Sequence, residues 1–333
     1  MRIAFVAPLV TPIREPQLGG SQSLLADIAM GLAARGHDVR VFAASGSSIE
    51  GVDVVDTGID PDALADTLFR ADSDAMRAND AARTAFSCVY GLIDGFDIVH
   101  NHAFDAPAIE LAPPRTVHTL HLPPSVEIAK ALANATDPVT CCVSDSQADA
   151  WSRYVTVDAV LRNGVPTQRI PWSEEPGDGA LFAGRISPEK GAREAVEIAR
   201  RAGITLTLVG GAYDPGYDVD AVVLDALPRE KLWELMGGSR VVLCPVRWDE
   251  PFGLVAAEAQ AAGTPVIAFR RGALPEVIVD GETGYLVDDV EGAVRALDIS
   301  DRIDRSACWR HAEAHLDLER TLDLHEELYG QLA

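Results

Sequence analysis

Short apolar, β-branched runs alternate with stretches of helical periodicity along nearly the whole chain. Arg2 to Ala7 reads as a buried strand, followed by a loop that ends in Gly19-Gly20. Ser21 is placed to cap a helix to about Arg35, with Leu24, Leu25, Ile28 and Leu32 on one face and Gly36 closing it. Val39 to Ala43 predicts the next strand. Strand, glycine loop, helix and strand in that order begin a parallel α/β sheet.

Further strands are expected at Val52 to Val55, Ile98 to Asn101, Thr116 to Leu120 and Val139 to Val143. The stretch Gln168 to Gly179 (QRIPWSEEPGDG) then breaks the alternation with prolines, glycines and acidic residues, which predicts a linker. Beyond it the pattern restarts: strands at Ala180 to Ala183, Thr205 to Val209, Val241 to Pro245, Pro265 to Ala268 and Gly284 to Val287, with helices at Ala192 to Ala202, Arg229 to Met236 and Leu254 to Ala262. The fold class is therefore α/β. Residues 1–170 and 171–310 form two doubly wound, Rossmann-like domains, and 311–333 form a C-terminal helical segment that packs back on the first. Ligands of such sheets bind beyond the carboxyl ends of the strands, so a cleft between the domains is the expected site.

Length agrees with two domains, since 333 residues exceed the roughly 250 to 300 at which one hydrophobic core stops growing. A net charge of −23 makes nucleic acid and anionic membrane poor partners. The five cysteines include an adjacent pair and no C-x-x-C, which argues against a disulfide framework and for a reducing compartment, the cytoplasm. The N-terminal apolar run meets Pro8 too early for a secretory leader, and no stretch approaches the ~20 apolar residues of a transmembrane segment. Neither G-x-G-x-x-G nor G-x-x-x-x-G-K-[ST] occurs, which lowers dinucleotide oxidoreductase and P-loop readings.

Three groups of residues carry candidate chemistry. In Trp248 to Phe269 (WDEPFGLVAAEAQAAGTPVIAF) a strand end leads through Asp249, Glu250 and Pro251 to a helix beginning near Phe252, Gly253, Leu254 and Val255. Its first amides form a site for phosphate or sugar oxygens. Glu258, one turn on among alanines, is costly to bury without donors, which ribose hydroxyls would supply; a solvated surface glutamate is the alternative. In Phe182 to Gly191 (FAGRISPEKG), Arg185 and Lys190 are spaced to clamp a diphosphate. They stand in a chain with only three lysines, and solvated charges or a salt bridge to Glu189 are the alternative. Four of eight histidines, His100, His102, His118 and His121, cluster at two predicted strand ends. They could bind a metal or face a substrate, or be satisfied structural histidines. Gly19 and Gly20 allow close approach of backbone to a ligand, or simply a turn and helix start.

In combination these residues resemble the family 4 glycosyltransferases, retaining enzymes of GT-B fold that use nucleotide sugars. The carrying features are Gly19-Gly20, GHDV at Gly36 to Val39, VHTLH at Val117 to His121, RNGVP at Arg162 to Pro166, GRISPEKG, EPFGLVAAEAQAAGTPVIA and GALPEVIVDGETGYLV at Gly272 to Val287. The resemblance implies an acceptor side in the first domain and a donor side in the second. It implies that Arg185 and Lys190 bind the donor diphosphate and Glu258 the ribose. Glu250 and the amides of Phe252, Gly253, Leu254 and Val255 would hold the transferred sugar and phosphate, Gly19 and Gly20 would approach the donor, and His121 would touch the sugar, so that Glu250 and His121 are the catalytic candidates. Main chain around Asp225 to Leu227 would face the base. It further implies no metal and no cofactor, a UDP-sugar as the first-choice co-substrate, and a small-molecule or glycan acceptor, for which Val10 to Leu18 and Leu122 to Ile128 are candidate contacts. Two alternatives stay open: a GT-B-shaped sugar-nucleotide epimerase or binding protein, and a metal-dependent hydrolase built on the histidines.

Overall fold

A computed structural model describes residues 1–17, 19–67, 75–175, 177–211 and 216–333 of the chain. Leu18, the last residue of the candidate acceptor loop, and Pro176, within the expected linker, lie outside the described residues. The chain divides into two compact units. The first comprises Met1–Arg14, Gly19–Arg162 and Thr321–Ala333; the second is built on Asn163–Arg320, joined by residues 15–17.

The first unit is organised on seven parallel strands: β1 (Arg2–Val6), β2 (Asp38–Ala43), β3 (Asp53–Asp56), β4 (Ile98–Asn101), β5 (Val117–Leu120), β6 (Val139–Cys142) and β7 (Ala159–Val160), in the order β3-β2-β1-β4-β5-β6-β7. Ile3 to Val6 are all fully buried, as a continuous apolar run should be when it pairs on both sides and is covered on both faces. Val6, Leu9, Phe42, Phe86 and Val89 meet in one core on this sheet. The helix Gly20–Ala34 buries Leu24, Leu25, Ile28 and Leu32 as expected. Its cap differs: Gly19 is the capping residue and provides no side chain, while Ser21 lies inside the first turn and donates to Gln22 Oε1 at 3.0 Å. Most of the helix Leu318–Leu332 belongs to this unit. Leu322 packs so closely on Gly31 that a Cβ there would lie 2.5 Å from its Cδ1, and Arg35 pairs with Asp323 at 2.8 Å and Glu326 at 2.5 Å.

The second unit holds six parallel strands: β8 (Ala180–Ala183), β9 (Leu206–Val209), β10 (Val223–Leu224), β11 (Val241–Cys244), β12 (Val266–Phe269) and β13 (Gly284–Val287), in the order β10-β9-β8-β11-β12-β13. The helix Ala192–Ala202 buries Ala192, Ala195 and Ile198 in one core with Phe182, Leu243 and Ile267, the stripe that 3.6-residue periodicity produces. Arg305 is buried without a carboxylate; its guanidinium donates to the carbonyls of Ser173, Gly237 and Ser239 and to Thr264 Oγ1 at 2.7–3.0 Å. Because every strand pairing is parallel, the carboxyl ends of β8, β11 and β12 open onto one edge of this sheet.

Candidate functional site

At that edge the loop after β8 is pressed onto the end of β11. Gly191 has φ +76°, and a Cβ there would stand 2.0 Å from the carbonyl oxygen of Pro245, so a glycine is required on both counts. The Arg247 amide donates to Glu189 O at 2.8 Å and seals the contact. Lys190 is thereby brought against the following loop, where its Nζ donates to Glu250 Oε2 at 2.7 Å and lies 4.7 Å from the centroid of the Trp248 ring. Trp248 Nε1 donates to the same carboxylate oxygen, also at 2.7 Å. Arg185 approaches the same indole, 5.9 Å from its centroid, and pairs with Glu189 at 3.1 Å, so the salt bridge open to it from sequence is formed. The main chain of Glu250 is fixed from behind by the loop after β12. Ala273 N donates to Glu250 O at 2.8 Å, and Gly272, at φ +54°, packs where a Cβ would lie 2.4 Å from Glu250 N.

Gly253, at φ +98°, turns the chain into the helix Leu254–Ala261. The amides of Ala256 and Ala257 both bond Gly253 O, whereas those of Phe252, Gly253, Leu254 and Val255 donate to no group among the described residues. Free amides at the positive end of a helix, beside a lysine and an arginine, form an anion-binding arrangement. Glu258 follows one turn later and is 7% exposed, which excludes a solvated surface carboxylate. The sequence left its donors to a ligand; in the structure the protein itself supplies two of them. The helix Arg229–Gly237 lies alongside, and Glu258 Oε1 accepts from Arg229 Nη2 at 2.9 Å and from Trp233 Nε1 at 3.1 Å. Arg229, Trp233 and Trp248 were not singled out from sequence. Nothing in the local pattern marks either indole N–H as a donor, and the arginine stands 29 residues from the carboxylate it meets.

The first unit gathers its candidates at the carboxyl ends of β1, β4 and β5. His100 is fully occupied, Nδ1 with Tyr329 Oη at 2.5 Å and Nε2 with Thr119 Oγ1 at 2.7 Å. His102 Nδ1 meets His121 Nε2 at 3.0 Å, and His118 Nδ1 meets Asn101 Nδ2 at 3.2 Å. His325, from the C-terminal helix, joins the group with its ring 5.5 Å from that of His100. Burial pushes His118, His121 and His325 down to about 4, and His100 and His102 well below the ordinary histidine value, so all five are neutral near pH 7. No set of three or more His, Cys, Asp or Glu side chains among the described residues is arranged to hold a metal ion. Gly19 has extended backbone, and an added Cβ would meet the end of the Gln22 side chain at 2.4 Å; Gly20 opens the helix. Asp105, after β4, buries Oδ2 without a hydrogen-bond partner, and burial followed by the nearby Glu127 raises its carboxyl to about 7. Nothing in the sequence marked it.

Comparison with known proteins accounts for both halves. The family model described as Glycosyltransferase Family 4 matches residues 18–169, and that described as Glycosyl transferases group 1 matches residues 171–304. The chain belongs to the family 4 glycosyltransferases. This glycosyltransferase is 28% identical to the D-inositol 3-phosphate glycosyltransferase of Acidothermus cellulolyticus, in a match covering 94% of this chain and 86% of that one. It is 29% identical to the alpha-maltose-1-phosphate synthase of Mycolicibacterium smegmatis over 48% of its own length and 50% of that relative's. Among solved structures, sucrose-phosphate synthase of Thermosynechococcus elongatus superimposes with a TM-score of 0.77 at 20% identity over 99% of this chain and 98% of that one. Anabaena HepE, solved in complex with UDP-glucose, gives 0.71 at 18% identity over 99% and 100%. The glycosyltransferase therefore has the GT-B fold. No helix among its described residues is long and apolar enough to cross a membrane.

Proposed function

We propose that this glycosyltransferase transfers a hexosyl group from a nucleoside-diphosphate sugar to a small-molecule or glycan acceptor, with retention of anomeric configuration and without a metal. One observation carries the reading most: Lys190, Glu250, Glu258 and the unengaged amides of Phe252 to Val255 occupy one sheet edge, with Arg185 beside them. Lys190, Arg185 and the amides would neutralise the donor diphosphate and the charge that grows on it as the sugar departs, which is preorganised electrostatic stabilisation. Protein cations there take the place of a divalent counter-ion. Glu258 would accept from a ribose hydroxyl and Glu250 from the transferred sugar, with His121 contributing to the sugar's surroundings and Gly19-Gly20 lying close to the donor. HepE, of the same fold, was solved with UDP-glucose, which makes a UDP-sugar the donor of first choice here. The five unpaired cysteines agree with a cytoplasmic enzyme.

A thermal-shift panel of UDP, GDP, ADP and dTDP, run in excess chelator, tests this. At ligand a hundredfold above its dissociation constant linkage stabilises the fold by about 2.7 kcal/mol, so one base, expected to be uracil, should stand out. Equal shifts with all four, or a shift that appears only when a divalent metal is restored, would count against it. Conversion of the donor without an acceptor product would instead favour an epimerase.

A further inference from the structure

Glu250 and Glu258, eight residues apart, are held in the same way, each by one cation and one tryptophan. At Glu250, Oε2 accepts from Lys190 Nζ and from Trp248 Nε1, both at 2.7 Å, and the ammonium lies 4.7 Å from the centroid of that same indole. At Glu258, Oε1 accepts from Arg229 Nη2 at 2.9 Å and from Trp233 Nε1 at 3.1 Å, and the guanidinium lies 4.8 Å from the centroid of that same indole. In each case a cation rests on an indole face, and cation and indole N–H converge on one oxygen of one glutamate. Trp233 and Glu258 come from adjacent helices and Trp248 from a loop, so the repetition is not a by-product of one local backbone conformation.

The physical effect is specific. The last torsion of a glutamate is broad, and a single donor leaves the carboxylate plane free to swing. Two donors on one oxygen restrict that swing, and the other oxygen of each carboxylate accepts from no group among the described residues. The cation is held in turn by the ring beneath it, an attraction that strengthens as water is excluded. Lys190 and Arg229 are 22% and 13% exposed at the side chain, and Glu250 and Glu258 11% and 9%, so both assemblies are largely withdrawn from solvent.

We propose that Trp248 and Trp233 are positioning residues for the transfer: paired cation–indole clamps that each tie off one carboxylate oxygen and present the other to a ligand hydroxyl. Trp248 sets Glu250 toward the transferred sugar, and Trp233, with Arg229, sets Glu258 toward the ribose. The proposal rests on the donor-site reading above. It makes the clamps separable, one acting on turnover and the other on nucleotide affinity.

Trp233→Phe and Trp248→Phe keep a ring at each place and remove the N–H. The probes are UDP with its 2′-deoxy and 3′-deoxy forms, measured by calorimetry, and release of UDP from a UDP-sugar at saturating donor, with the corresponding set for another base if the panel selects one. Trp233→Phe should weaken UDP about tenfold, the weight of one hydrogen bond to a charged group, and should shrink the penalty for whichever deoxy form the parent discriminates. Trp248→Phe should leave UDP affinity within about twofold and lower kcat about tenfold. A role confined to stability would lower the melting temperature without this division. If Trp233→Phe fails to fold, Arg229→Met removes the other arm of the same clamp and must weaken UDP in the same sense. Parent-like affinity and kcat in folded variants, or exchanged effects, would overturn the clamps. Glu250→Gln and Glu258→Gln in the same assays distinguish the two levels: impaired glutamine variants beside parent-like tryptophan variants reject the clamps alone, and parent-like glutamine variants reject the donor site itself.

Discussion

The two units place polar side chains at the same point of the same architecture, the carboxyl ends of parallel strands, and satisfy them in opposite ways. In the first unit the buried groups are imidazoles, paired with each other, with Thr119 and with Tyr329 of the C-terminal helix, and kept neutral by burial. In the second they are carboxylates held by cations, with a row of amides left unengaged beside them. A neutral cluster whose hydrogen bonds run largely among its own side chains and to Tyr329 fastens a helix to a sheet. A charged cluster with capacity left over is suited to an anionic ligand. Four histidines in the motifs VHNH and VHTLH draw attention to the first unit, yet the charge that donor chemistry requires stands in the second.

The largest consequence is a difference in acid sensitivity. The unfolded chain protonates its histidines near 6.5, whereas the folded cluster resists protonation down to about 4 or below. The unfolded state then binds more protons throughout that window, so stability falls as pH drops from about 6.5 to 4, by about 1.4 kcal/mol per pH unit for each buried histidine that must stay neutral. Several act together. Hydrogen exchange, corrected for intrinsic rates, should show β4, β5 and the helix Leu318–Leu332 losing protection between pH 6.5 and 4.5 while β8, β11 and β12 keep theirs. Uniform loss across both units would remove the distinction.

Lys190→Ala probes the opposite pole. It deletes a cation that donates to Glu250 and is proposed to neutralise the donor diphosphate as well. The expected loss in kcat/KM is roughly 10- to 150-fold, from about 1.5 to 3 kcal/mol for a hydrogen bond to a charged group. An unchanged kcat/KM in a folded variant would make the lysine a structural ion-pair partner, and the second unit would then resemble the first.

The alternation of strands and helices was legible because each apolar run is bounded by glycine, proline or a charged turn; β4, β8 and β13 and the helix Ala192–Ala202 begin and end where the sequence places them. The two-residue strands β7 and β10 were not, being too short to carry a period. At the site, Arg185, Lys190, Glu250 and Glu258 could be read from the spacing of charges around loops and helix starts. Their partners could not. Trp233 meets Glu258 through the packing of one helix on the next, and Lys190 reaches Glu250 across 60 residues because Gly191 lets two loops touch. Such contacts depend on register between elements, which a local pattern does not specify. The spacing of the histidines marks strand ends, but only the C-terminal helix, more than 200 residues later, shows what His100 Nδ1 bonds to.

The central claim is that Glu250 and Glu258 serve different parts of one donor. Steady-state kinetics of Glu250→Gln and Glu258→Gln with varied nucleotide sugar test it most directly. Glu258 would hold ribose, which does not change during the reaction, so its variant should raise KM with a smaller change in kcat. Glu250 would meet the reacting sugar, where placement governs rate, so its variant should lower kcat at saturating donor, by more than the other's loss in kcat. The same kinetic defect in both folded variants, or the two signatures exchanged, would contradict the account.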